Sequence, residues 1–324
     1  MTPPRPFRVL ELFCGIGGCA AAVAGEATVV GAVDQNRHAL RAYAANFGHP
    51  VHPLAIETVP RATWFRWDAD LWWLSPPCRP FTTRGRQRDL DDPRARGLLA
   101  VIDALEAVRP PAVAVENVPG FQGSRAHARL GSVLRQAGYD VRETLLCPTE
   151  LGVPNRRRRF YLVARRGGLA DWPARTAVPV ALASLLDATP GPELLCEPDL
   201  ERRFARALSV VDPADPAACA ACFTSAYGRS IVRSGSYLAT PAGVRRFSPD
   251  EILRLLDFPA GYRLPSELPL GTAWRLVGDS VSVRAVRWVL SAVLPAPDAG
   301  SAWARWTTTA GPVPILGSGP PRRT

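Results

Sequence analysis

Leu71-Trp72-Trp73-Leu74-Ser75-Pro76-Pro77-Cys78-Arg79-Pro80-Phe81 is the stretch on which the reading of this chain turns. A short apolar run that stops at prolines reads as a buried strand followed by a loop. Proline fixes φ and removes a backbone donor, so the loop carrying Cys78 is stiff and its direction is set. Open α/β sheets take their ligands just past the carboxyl ends of their strands. Cys78 is therefore either a presented nucleophile or a structural thiol, and this stretch alone leaves both open.

Working outward, apolar runs alternate with helical stretches. Residues 8–13, 29–34, 70–75 and 112–118 read as strands, and 36–47, 94–108 and 126–137 as helices. Two late runs, 141–146 and 160–164, read as the last strands and suit a hairpin. This rhythm predicts a parallel, doubly wound α/β sheet. From Arg166-Gly167-Gly168 to Arg246 the rhythm is lost and Pro, Ala and short strand-like pieces take over. That predicts a catalytic domain of residues 1–168 and 247–294, a small inserted domain of 169–246, and a flexible tail of 295–324. Ser248-Pro249-Asp250-Glu251 carries the signals of a helix start, an N-cap serine, proline at the first position and a capping-box glutamate. A last amphipathic helix is expected from about Ser282 to Val293.

Of the 324 residues, 47% are hydrophobic and 21% charged, which suits a globular protein. No run approaches the roughly 20 apolar residues of a membrane helix, and the first residues lack a signal-peptide core. A cytoplasmic address is expected. The formal charge is +10, and every one of the 39 basic residues is arginine. Arginine presents a planar fork that holds phosphate and stacks on bases, so polyanionic partners are expected, although a solvated basic surface would have the same composition. The seven cysteines are irregularly spaced. Cys219-Ala220-Ala221-Cys222 has metal-like spacing without a second ligand pair, and no metal site is expected.

Glu11-Leu12-Phe13-Cys14-Gly15-Ile16-Gly17-Gly18 closes the first strand and opens a helix. Glycines at such a turn let a ligand approach the backbone, though a tight connection would use them equally. Asp34 ends the second strand, where a carboxylate can accept from two ribose hydroxyls. The spacing is not Gly-x-Gly-x-x-Gly, which disfavours a nicotinamide cofactor.

Taken in order, Phe13-x-Gly15-x-Gly17-Gly18, Pro76-Pro77-Cys78, Glu116-Asn117-Val118, Arg157-x-Arg159 and Gly278-Asp279-Ser280-Val281 resemble the ordered motifs of the cytosine-5 methyltransferase family over residues 8–165 and 247–294. Glu116-Asn117 alone could be a strand-end turn, and residues 156–159 alone a solvated basic run. The resemblance implies a Rossmann-like S-adenosylmethionine-dependent methyltransferase fold with a small inserted target-recognition domain. It implies Cys78 as the nucleophile on cytosine C6, Glu116 at the pyrimidine N3, and Arg157 and Arg159 as braces. Asn117 is expected to hold the loop bearing Glu116. For the cofactor it implies Phe13, Gly15, Gly17, Gly18, Asp34, Ile56, Pro76, Asp279 and Ser280.

Other residues resemble the tRNA-aspartate branch, the type-2 DNA methyltransferase homologues. These are Leu10-Glu11-Leu12, the run 80–87, Leu151-Gly152-Val153-Pro154-Asn155, and Cys222-Phe223-Thr224 with downstream Tyr227-Gly228. The resemblance implies tRNA as substrate, at cytosine 38 of the tRNA-Asp anticodon loop, with Arg79, Thr82, Arg84, Arg86, Cys222, Phe223, Thr224 and Tyr227 toward the nucleic acid. A DNA (cytosine-5) methyltransferase and a weakly active nucleic-acid-binding homologue are the alternatives. Three departures stand out: Arg79 where the family usually has Gln, Asp279 where Asn is usual, and Ala55 before Ile56 where many DNA enzymes have Asp.

Overall fold

The computed structural model describes residues 5–82, 88–175, 178–204 and 207–295. Its strands are β1 (Arg8–Leu12), β2 (Thr28–Val33), β3 (Val51–His52), β4 (Leu71–Leu74), β5 (Ala112–Asn117), β6 (Asp140–Leu146), β7 (Asn155–Arg156), β8 (Arg159–Arg165), β9 (Ser209–Val211), β10 (Ala220–Ala221), β11 (Ser236–Thr240) and β12 (Gly243–Arg246). Its helices are α1 (Gly18–Ala22), α2 (Arg37–Ala44), α3 (Arg61–Arg66), α4 (Arg96–Val108), α5 (Arg125–Gln136), α6 (Asp199–Phe204), α7 (Pro249–Leu255), α8 (Leu270–Asp279) and α9 (Val283–Leu290).

Seven strands form the main sheet in the order β3-β2-β1-β4-β5-β8-β6. Strands β3, β2, β1, β4 and β5 pair in parallel, so their carboxyl ends share one edge. The strand–helix rhythm forms the expected parallel sheet through β5; β8 then slots between β5 and β6 and runs against both. The two late strands do pair antiparallel, but the connection between them carries β7 and is longer than a tight hairpin turn. Reversal has a consequence for the site: the start of β8 lies at the same edge as the end of β5, with Asn117 opposite Phe160 and Glu116 opposite Tyr161.

Side chains of successive strand residues point to opposite faces, and both faces here are apolar. Val9, Leu71, Trp73, Ala112 and Ala114 pack with α2, α7 and α9 on one side. Leu10, Leu12, Trp72, Leu74, Val113 and Val115 pack with α4 and α5 on the other. Asn36 caps α2 by accepting from the His38 and Ala39 amides, and Ser124 caps α5 through His127. The capping box at Ser248 and Glu251 forms as its residues require. Helix α8 is an element the sequence pattern did not announce, since it starts at Leu270 with no side-chain cap.

Residues 169–246 contribute a three-stranded sheet, β12-β11-β9, and β10 pairs with β7. Arg245 of β12 and Glu251 of α7 form a bidentate pair at 2.9 and 2.7 Å, with side chains 5% and 0% exposed. The same carboxylate accepts from the Asp187 and Ser248 amides. Removing one member of such a pair strands a charge away from water. Arg245→Ala is expected to lower the unfolding free energy by about 3–5 kcal/mol in urea titrations.

Candidate active site

The loop after β4 places Cys78 at the carboxyl edge of the sheet, half-buried, as the residue leading into a turn at Arg79–Phe81. Neighbouring β5 ends in Glu116 and Asn117, both buried. The Asn117 side-chain amide donates to the Pro76 carbonyl at 3.1 Å, and its oxygen accepts from the Val118 amide. Asn117 thus ties the Cys78 loop to the Glu116 loop. From the reversed strand, Arg159 Nε meets a Glu116 carboxylate oxygen at 3.2 Å.

The two arginines of the Arg157-x-Arg159 block do different work. Arg157 is 4% exposed and donates to the carbonyls of Phe223 at 2.7 Å, Gly278 at 3.0 Å and Ser280. Its Nη1 also faces Cys222 Sγ at 3.4 Å. It staples the 169–246 segment and the end of α8 to the turn before β8. A Cβ on Gly278 would sit 2.4 Å from the Thr224 carbonyl oxygen, so that approach requires glycine. Arg159 contacts the acid itself and, through Nη2, Cys222 Sγ at 3.6 Å.

These charges set the ionisation of the site. Burial pushes the Cys78 thiol above its ordinary pKa, and the Glu116 carboxylate adds to that, while Arg159 pulls it down. Burial likewise raises Glu116, against the pull of Arg159 and Arg157. Ion pairing favours the carboxylate and desolvation favours the acid; desolvation wins. The resting site therefore tends toward a neutral thiol beside a carboxyl group biased to hold a proton. Such an acid can donate to a ring nitrogen, and the nearby guanidinium can stabilise a thiolate as it forms.

A cleft of about 1020 Å³ opens beside this floor, lined in part by Arg79, Arg88, Arg94, Arg159 and Arg233. Thr82, Cys222 and Thr224 also line it. Two nucleic-acid expectations are corrected: Phe223 and Tyr227 do not face the cleft. They are 2% and 0% exposed and pack edge to face, and the Tyr227 hydroxyl donates to the Ser236 carbonyl and accepts from the Phe247 amide. The Cys-Phe-Thr and Tyr-Gly residues therefore build the wall behind the cleft as well as its surface. Arg84 and Arg86 lie outside the described residues. Arg88, Arg94 and Arg233 were not singled out from sequence; a lone arginine in an arginine-only basic set carries no signal of its own.

At the cofactor end, Asp34 accepts from the Gly15 amide at 2.9 Å and the Asn36 amide at 2.8 Å, one on each oxygen. Each oxygen keeps lone-pair capacity for a further donor. Gly15 has φ +53 and open space where a Cβ would stand. A Cβ on Gly17 would meet Phe47 at 2.5 Å, and one on Gly18 would meet Val281 at 2.4 Å, so these two glycines serve internal packing. The Gly18 contact brings the first motif block against the last. Ile56 is buried in the same apolar layer as Val33, with Phe13 packed against it. Pro76 and Ser280 are buried, and Asp279 ends α8 with an exposed side chain. An anchored carboxylate, open space at Gly15 and an apolar Ile56/Phe13 surface form a donor set that fits the ribose and adenine of S-adenosylmethionine.

The sheet order with its one reversed strand defines a Rossmann-like methyltransferase fold. It superposes on the solved Entamoeba histolytica methyltransferase EhMeth with a TM-score of 0.83 at 22% identity, covering 89% of this chain and 97% of that one. The Schizosaccharomyces pombe Dnmt2 methyltransferase matches with a TM-score of 0.79 at 26% identity over 89% and 98% of the two chains. In sequence, residues 7–181 match the C-5 cytosine-specific DNA methylase family. The chain is 30% identical to a tRNA (cytosine(38)-C(5))-methyltransferase of Spodoptera frugiperda, over 87% of this chain and 98% of that protein. This chain belongs to the C-5 cytosine methyltransferase family, which implies S-adenosylmethionine as methyl donor.

Separate variants distinguish the two arginines. Arg157→Ala is expected to cost about 3–5 kcal/mol of stability across pH, because it breaks a buried multidentate staple. Arg159→Ala leaves Glu116 able to neutralise itself, so the variant should match wild type in acid. Its folded-state Glu116 pKa is raised further above the unfolded value, so stability is lost as pH rises through it. Denaturant melts of both variants across pH check this.

Proposed function

We propose that this chain is an S-adenosylmethionine-dependent cytosine C5 methyltransferase that acts on tRNA, at cytosine 38 of the tRNA-Asp anticodon loop, by covalent addition to C6. The observation that carries the reading is the convergence of Cys78, Glu116 and Arg159 at one sheet edge, beside a cleft rimmed with arginine. Arg79, Arg88 and Arg233 line the cleft, the first two near the Asp279 and Asp92 charges but in no close ion pair among the described residues, so their forks can take phosphate oxygens. The tRNA assignment is supported by the name of the Spodoptera frugiperda relative and by the Cys222-Phe223-Thr224 segment, whose first and third residues line the cleft.

Cytosine C5 is a poor nucleophile until something adds at C6. Cys78 supplies that addition as its thiolate, forming the C6–S bond while Glu116 gives its proton to N3 and takes up the developing charge. Bound S-adenosylmethionine, held by Asp34, Ile56 and Phe13, would supply the electrophilic methyl group for C5. Loss of the C5 proton to a base then expels the Cys78 thiolate, N3 returns its proton to the Glu116 carboxylate, and the ring is restored. Arg159 steadies the carboxylate that forms on Glu116, and Arg157 holds the loops around it.

For substrate recognition, we take residues 1–168 and 247–294 as the catalytic domain and 169–246 as a small target-recognition domain, with 295–324 as a tail. The 169–246 segment supplies Cys222, Thr224 and Arg233 to the cleft. An unpaired anticodon-loop base costs less to extrude than a base stacked in a duplex. We place this chain's work in the cytoplasm, where tRNA is at hand; no helix among the described residues is long and apolar enough to cross a membrane.

The test is methyl transfer from labelled S-adenosylmethionine to total tRNA and to genomic DNA in parallel, followed by bisulfite sequencing. Label at one anticodon-loop cytosine is expected, and label confined to duplex DNA would reverse the substrate assignment. RNA carrying 5-fluorocytosine at the target should remain covalently attached to wild type and not to Cys78→Ala. Capture by Cys78→Ala would remove the nucleophile assignment.

A further inference from the structure

Cys222 lines the cleft, and its sulfur lies between two guanidinium groups. Arg157 Nη1 is 3.4 Å away and Arg159 Nη2 is 3.6 Å away. A protonated thiol would donate to the Phe223 carbonyl, 3.5 Å away, but as a weak acceptor it gives two cations little. A thiolate accepts strongly and supplies the charge that both lack. Arg157 cannot move toward any other anion, because its fork is committed to the Phe223, Gly278 and Ser280 carbonyls.

Arg159 is the adjustable member. Its Nε faces the Glu116 carboxylate at 3.2 Å while Nη2 faces Cys222. One planar fork therefore bridges the acid and the second cysteine, and the sulfur fixes which edge is turned to Glu116. We infer that Cys222 acts as a thiolate counter-ion that locks Arg159 against Glu116 and relieves Glu116 of balancing both guanidiniums alone. It is a positioning residue for methyl transfer, acting through Arg159, and the inference rests on the reading of Glu116 as the acid at N3.

The surrounding charges agree. Burial opposes ionisation of Cys222, yet Arg157 and Arg159 outweigh it and hold the thiol below its ordinary pKa. Burial also opposes the charge on Arg159, and Cys222 followed by Glu116 more than offsets it. Tyr161 faces Arg159 as well, and Glu116, Arg159, Asp279 and Arg157 act on Cys78. Without an anion at position 222, the uncompensated guanidiniums draw Glu116 and Cys78 toward lower pKa values. Glu116 then gives up its acid form at a lower pH.

Two substitutions separate charge from packing: Cys222→Ser is close in size and neutral, and Cys222→Asp returns an anion. In single-turnover methylation of tRNA, Cys222→Ser should lower the rate constant about tenfold through lost alignment. The loss should persist at saturating tRNA; a rate restored to wild type by more tRNA would make Cys222 a substrate contact and overturn the inference. The pH–rate profile of Cys222→Ser should move to lower pH, and Cys222→Asp should recover most of the rate and the original profile. A wild-type rate and profile in Cys222→Ser would overturn the inference. So would equal losses in both variants with a lowered unfolding midpoint, which would mean packing alone.

A second readout needs no nucleic acid. The ultraviolet thiolate absorbance of the full chain, wild type minus Cys222→Ser, should titrate with a midpoint below the ordinary thiol value of about 8.5. Arg159→Ala should raise that midpoint. A midpoint at or above the ordinary value would sink the counter-ion role even if tRNA proved to be the wrong substrate.

Discussion

The buried Arg157 guanidinium is the interaction on which the site depends. It collects carbonyls from Phe223, Gly278 and Ser280 and faces the Cys222 sulfur, so one side chain joins three distant segments. Carbonyl oxygens at a loop and a helix end need donors when water is excluded. A guanidinium presents several in a fixed plane and cannot lose its charge. Lysine would offer a point charge without the fork. The tight approach of Gly278 to Thr224 follows from the same convergence, because the helix end is drawn flush against the Cys222–Thr224 segment.

Around that staple, the site is a balance of few charges in a poorly solvated space. Glu116 and Cys78 are both pushed toward their neutral forms by burial, and Arg159 opposes both shifts. The proposed addition to cytosine C6 draws on both biases, Glu116 toward its acid form and Cys78 toward ionising beside Arg159. The reversed strand β8 makes the balance possible. Had it run parallel to β5, its first residues would lie at the opposite edge of the sheet, and Arg159 could not reach Glu116.

Much of the site was legible in the sequence because its residues sit at strand ends. Buried apolar runs declare strands, and the residue after such a run falls at the sheet edge whatever the rest of the chain does. Cys78, Glu116 and Asp34 are of this kind. The Ser248 cap was legible for a similar reason, since a capping box is satisfied within four residues. Phe223 and Tyr227 were misplaced because the same segment sends alternate residues to the cleft and to the core, and composition does not say which. Helix α8 carries no side-chain cap to mark its start, and the place of β8 between β5 and β6 leaves no trace in a short apolar run.

The sequence by itself determined the alternation of strands and helices, the edge at which the chemistry gathers, and the family through its ordered motifs. Those are local properties, carried by hydrophobic runs, prolines, glycines and the residues beside them. Only the tertiary structure decided that β8 lies between β5 and β6, that Arg157 holds loops while Arg159 meets Glu116, and that Cys222 lies between the two. Each of these depends on contacts between segments far apart in the chain, such as the 123 residues separating Arg157 from Ser280. Burial and charge act through distance in space, which a linear pattern does not contain.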